Sequence, residues 1–164
     1  MISLVLSLLL QAEPTLRAPA LRAELLAMKD EDQAVRRAAA RGVEAPFAEV
    51  TKRHTARLRA IIEEHGWPGR SLVGEDGSIA AWVIAQHLDH DLPLQRRCLA
   101  SLEVAVAKNE ADAESLAFLT DRVLVNEGQP QRYGTQGSGA VTPADRVRVN
   151  ANRRVLGLAP LPSR

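Results

Sequence analysis

The residues in this 164-residue chain best suited to chemistry are histidines and carboxylates at the edges of apolar helical stripes. His87 follows the run Ile79-Ala80-Ala81-Trp82-Val83-Ile84-Ala85 and stands among Gln86, Asp89, His90 and Asp91. An imidazole can take up and return a proton near neutral pH, and a carboxylate beside it can orient the ring. Asp121 sits on the edge of the stripe Leu116, Ala117, Leu119, Val123 and Leu124, with Arg122 next to it. Asp32 occupies a place on the stripe Leu21, Leu25, Met28, Val35 and Ala39. A carboxylate there is unfavourable unless paired, and Arg36, one turn on, is a local partner. His87 and Asp121 are therefore the candidate acid–base pair. Asp32, His65, Gln86, Asp89, Asp91, Arg122, Gln131, Tyr133 and Gln136 are the candidates for holding a small polar ligand. A guanidinium with amides and a phenol suits a carboxylate, amide or phosphate. No nucleophile stands out, since Ser78 reads as a helix cap and Cys98 as a small core residue. Catalysis, if any, would be acid–base chemistry or hydrolysis by activated water.

The elements that must position these groups are helical. A first helix runs from about Ala20 to Arg41 and stops at Gly42. Pro46 opens a second, with the inner stripe Phe47, Val50, His54, Leu58, Ile61 and His65, and Gly66 closes it. Trp67-Pro68-Gly69 reads as a tight turn. The central helix is expected over residues 78–89, with Ser78 as its N-cap. Seven consecutive apolar residues follow Ser78, so this helix has no polar face and should be buried all round, with Ile79, Trp82, Val83 and Ile84 nearly inaccessible. Asp91 and Pro93 start the next helix, to about Lys108, and Asp112 caps another, Ala113 to Val125. Gln129 to Gly139 is a polar, glycine-rich loop. Thr142-Pro143-Ala144-Asp145 opens a short helix through Arg154, whose arginines (Arg146, Arg148, Arg153, Arg154) read as a solvated face. Leu156 to Leu161 is an apolar tail. The expected fold is all-α, an irregular bundle of about five to six helices around the central one. His87 and Asp121 are expected to meet there, with the Tyr133–Gln136 loop over them.

Several of these segments together resemble a bacterial family of domains of unknown function. They are Asp32-Gln33, His65-Gly66-Trp67-Pro68, Gln86-His87 with Asp89 and Asp91, Thr120-Asp121-Arg122-Val123, and Gln131 with Tyr133-Gly134-Thr135-Gln136. The resemblance spans about Leu21 to Leu161. It implies a shared polar site and no particular chemistry. Position 54 departs from the pattern, with His in place of the expected Asn.

Three readings of the polar cluster compete: a ligand pocket, with or without catalysis; a buried network that fixes helix register; and a metal site. For the last, His87 and Asp91 are four apart, with His54, His65 or Asp121 to complete a two-His-carboxylate set. There is no His-Glu-x-x-His or Glu-x-x-His run, so a metal is not favoured and no cofactor is implied. A protein-binding module is a further alternative, one that would need an exposed apolar patch. Composition excludes other classes. A formal net charge of +1 gives no electrostatic footprint for nucleic acid, and two Phe, two Trp and one Tyr leave little for base stacking. One cysteine permits no internal disulfide and no multi-cysteine metal site.

Ile2 to Leu10 is an apolar run broken by Ser3 and Ser7. It falls short of the ~20 residues that span a bilayer. It fits the core of a secretory signal, with Leu10-Gln11-Ala12 at the cleavage site. Residues 1–12 are thus expected to be a signal segment and 13–164 one helical domain, periplasmic or secreted, without stable membrane insertion once mature; the alternative is a first helix or strand of a cytoplasmic fold.

Overall fold

The structure, a computed structural model, describes residues 16–137 and 141–162. The expected signal segment lies outside them, as do Ser138 and Gly139 of the glycine-rich loop. Six helices make up the described residues: α1 (Pro19–Ala40), α2 (Phe47–His65), α3 (Arg70–Gln86), α4 (Leu92–Ala107), α5 (Ala113–Asn126) and α6 (Pro143–Val155). The fold is all-α, as the periodicity predicts. α3 lies at the centre, packed most extensively on α1 and also on α2, α4 and α5.

Side-chain caps set three of the helix starts. Asp91 accepts from the Leu94 N–H at 3.1 Å, Asp112 from Ser115 at 2.6 Å and Thr142 from Asp145 at 3.2 Å. Each satisfies a first-turn donor that has no partner inside its helix. The inner stripe of α1 is Leu21, Leu25, Met28, Asp32 and Val35, including the predicted carboxylate. Leu21, Leu25 and Met28 join Leu58 and Ile61 of α2, Ala81 and Ile84 of α3, Leu94, Cys98 and Leu102 of α4 and Leu119 of α5 in one core. Burial pushes the Cys98 thiol up to about 12, so it stays protonated and packs as a small apolar group.

The central helix departs from expectation in two ways. It starts at Arg70 rather than Ser78, with a break at Gly74, whose φ of 77° only glycine adopts readily. Ser78 is therefore no cap. It is buried inside the helix, and its Oγ accepts the Trp67 indole N–H at 2.9 Å. The helix is also not buried all round. Ala80, Ala81, Ile84 and Ala85 are sealed, but Ile79 is 38% exposed and Trp82 and Val83 are half-buried. Four helices pack on α3 and do not quite close around it. Trp82 still packs edge-on against Phe118, ring centroids 6.0 Å apart, and donates its indole N–H to the Ser115 carbonyl.

At the start of α3 the chain comes close to Glu110. The Arg70 N–H donates to the Glu110 carbonyl and the Ser71 N–H to its carboxylate, each at 2.8 Å, so a remote acid caps the helix. A Cβ on Gly69 would lie 2.6 Å from the carboxylate oxygen and 2.7 Å from the Glu110 Cβ. Gly69→Ala is expected to cost about 1–3 kcal/mol, as overpacking does, by lifting Glu110 off the helix end. Urea melts check this, and an unchanged midpoint would refute it.

Candidate functional site

His87 is the C-cap of α3, held there by its N–H to the Ala85 and Ile84 carbonyls. Its Nδ1 lies 2.7 Å from Asp32 Oδ2 on α1. The expected partner was Asp121, and the structure corrects that pairing. Asp32 also accepts from Arg36 Nε at 3.0 and 3.1 Å and from the Gln33 amide at 3.0 Å. Burial pushes the Asp32 carboxyl up, but the His87 and Arg36 donors outweigh it and hold it below the usual carboxylate range. An ionised carboxylate can only accept, so the Nδ1 it meets carries the proton. Nε2 is the ring nitrogen that Asp32 does not hold. Among the described residues, no side chain or backbone group meets Nε2, and the side chain is 24% exposed. The amide nitrogen of the preceding residue, Gln86, is buried without an acceptor. Arg36, which braces Asp32, lies over the Phe47 ring at 5.2 Å.

Asp121 has a different part. It is fully buried, and its carboxylate gathers the backbone of the 132–135 loop. Oδ1 accepts from the N–H of Arg132 at 2.6 Å and of Tyr133 at 3.0 Å. Oδ2 accepts from the N–H and hydroxyl of Thr135 at 2.8 and 2.9 Å. Gln131 and Gln136 close the loop on themselves. The Gln131 amide donates to the Gln136 carbonyl and its oxygen accepts the Gln136 N–H, each at 2.8 Å. Tyr133 is buried, and its carbonyl accepts from Arg153.

A third group joins the α3–α4 corner to α5. Asp89 receives Arg122 through both of its oxygens, and Asn126 donates to Asp89 at 2.8 Å and to Gln95 at 2.9 Å. Burial opposes ionisation of Asp89, but the Arg122 and Asn126 donors prevail and hold its carboxyl low. Arg122 reaches Gln136 at 3.5 Å, linking this corner to the loop. The sequence reading missed Gln95 and Asn126. Gln95 is fully buried and binds the Ala85 carbonyl at 3.1 Å. Its place one turn before Leu99 and two before Leu102 is the signal that would have found it.

Two candidates stand apart. Asp91 caps α4 and pairs with Arg59. His65, exposed at the end of α2, lines a separate cleft beside Trp67. Among the described residues, no group of three or more His, Cys, Asp or Glu is placed to hold a metal ion. No helix among them is long and apolar enough to cross a membrane.

The depressed Asp32 carboxyl makes a prediction about acid stability. Its contribution is complete above the ordinary aspartate range, near pH 4, and is lost as pH falls through its lower folded value. Asp32→Asn should therefore flatten the acid limb of a stability-against-pH curve. An unchanged limb would show that Asp32 is not held ionised by the fold.

Neither a curated protein nor a solved structure matches the chain. A family model does match, over residues 19–163, which agrees with the motif resemblance; the chain belongs to a family of unknown function, DUF6624.

Proposed function

We propose that the protein binds a small polar ligand at the C-terminal end of α3 and acts on it with His87 as the proton-transferring group. The observation that carries this reading is the 2.7 Å contact between Asp32 and His87 Nδ1, with Nε2 unmet among the described residues and the side chain 24% exposed. A carboxylate behind one ring nitrogen fixes the tautomer and aims the other, which is how an imidazole is prepared to accept a proton. The buried Gln86 amide, short of an acceptor, adds a donor to the same turn. With no nucleophile beside His87, hydrolysis by activated water or another acid–base reaction is the chemistry that fits. The test is a screen of small esters, amides and phosphate esters with the wild-type protein and His87→Asn. Turnover that survives in His87→Asn would refute the assignment.

The saturated bonding of Asp121, Asp89, Arg122, Gln131 and Gln136 favours a structural part for those residues, with Asp32 and His87 left to the ligand. We also propose that the protein is exported, on the strength of the Ile2–Leu10 run. Mass spectrometry of protein from its native host should find a mature start near Glu13, and an intact Met1 would refute export by cleavage.

A further inference from the structure

A cleft whose lining does not include His87 lies between the end of α2, the first turn of α3 and the second half of α4. Its volume is about 580 Å³, within the range of small-molecule sites. Trp67 and Leu72 form its inner side. Val104, on α4, is 54% exposed there and supplies an apolar wall. Three polar groups on this lining lack a committed partner. Among the described residues, the Lys108 ammonium makes no ion pair, the Ser101 hydroxyl makes no hydrogen bond, and His65 Nδ1 is unmet. His65 Nε2 has only a loose 3.5 Å approach from the exposed Glu64.

Cationic and hydroxyl donors beside an exposed apolar wall suit an anion with an apolar body. The remaining charges limit how much negative charge it can carry. Arg17 donates to the Ser71 hydroxyl at 3.0 Å, and its charge, with that of Arg70, is set against the Glu110 carboxylate. Glu110, on the rim, keeps its carboxylate at the N-terminus of α3 through the Ser71 N–H. A doubly charged head group would meet that carboxylate with too little cation to offset it. We infer that this cleft is a binding site for a small monocarboxylate with an aromatic or aliphatic body, the head group on Lys108 and Ser101 and the body against Val104 and Trp67. This inference does not depend on the function proposed for His87.

The test is an NMR titration of the full chain with sodium benzoate, benzamide and phenyl phosphate. Benzoate is expected to shift the amides of Ser101, Val104 and Lys108 saturably, with little response to benzamide and weaker binding of phenyl phosphate. Lys108 is exposed and unpaired, so Lys108→Met should fold as the wild type does and raise the benzoate Kd about tenfold, the loss of one charge-assisted hydrogen bond. His87→Asn should bind benzoate unchanged. The inference is overturned if benzoate leaves these amides unmoved, if benzamide or phenyl phosphate binds as well, or if Lys108→Met keeps wild-type affinity. Loss of benzoate binding in His87→Asn would overturn the separateness of the two sites.

Discussion

Asp121→Ala is expected to destabilise the protein by about 3–5 kcal/mol, the size of effect seen when one side of a buried charged network is removed. The carboxylate is fully buried and receives three backbone N–H groups and the Thr135 hydroxyl. Without it those donors must either stay buried unpaired or carry the loop into solvent. The second course would also expose Tyr133, so a rise in Tyr133 accessibility should accompany the loss. Asp121→Asn keeps the shape but turns an NH2 toward N–H donors, and should fail nearly as badly. Urea denaturation measures both. A loss below about 1 kcal/mol, the ordinary range for a point change, would show that the loop does not depend on this anchor.

His87→Asn should behave in the opposite way. Asp32 would keep Arg36 and Gln33, so no buried charge is orphaned and stability should stay within about 1 kcal/mol of wild type. Turnover of any substrate the screen identifies should fall about 10²–10⁴-fold, the usual contribution of a positioned acid–base group. Asp32→Asn acts through the ring. An amide in place of the carboxylate removes the preference for a proton on Nδ1, so kcat should fall while ligand affinity is largely kept. The two kinetic signatures distinguish proton transfer from a purely structural His87. A His87→Asn protein that unfolds, with Asp121→Ala intact, would reverse the parts given to the two residues.

These contrasts show what was legible in the sequence. Caps were: Asp91, Asp112 and Thr142 each act within three residues, so their signature is local. The need of Asp32 for a partner was legible from helical phase, and so was Arg36 as one answer. His87 as the other was not, because it lies 55 residues away and only packing of α1 on α3 brings it close. Asp121 was recognised as a buried acid in need of donors, but those donors are backbone N–H groups, and backbone groups carry no mark in the residue letters. Ser78 was misread for a related reason. A serine before an apolar run looks like a cap, whereas the helix had already started, and the break at Gly74 is set by one glycine among several in that stretch. Ile79 then followed the misreading, since hydrophobicity says that a residue prefers burial and not whether a neighbour is there to provide it.

Of the four α6 arginines expected to face solvent, Arg154 does so, while the other three also grip main-chain oxygens. Arg146 reaches the carbonyls of Leu161 and Pro162, Arg153 those of Ala159 and Tyr133, and Arg148 that of Gln131. Neither a guanidinium nor a peptide carbonyl gains or loses a proton over any pH a folded protein ordinarily meets. The C-terminal quarter is therefore strapped by a fastening that acid does not undo, while the Asp32–His87 contact between α1 and α3 rests on a carboxylate, held low by its donors, that strong acid neutralises. Acid should accordingly spare the arginine strap itself while it weakens contacts that need a carboxylate, the Asp32–His87 link among them. Because the strap grips the main chain, it is also indifferent to which side chains the tail carries.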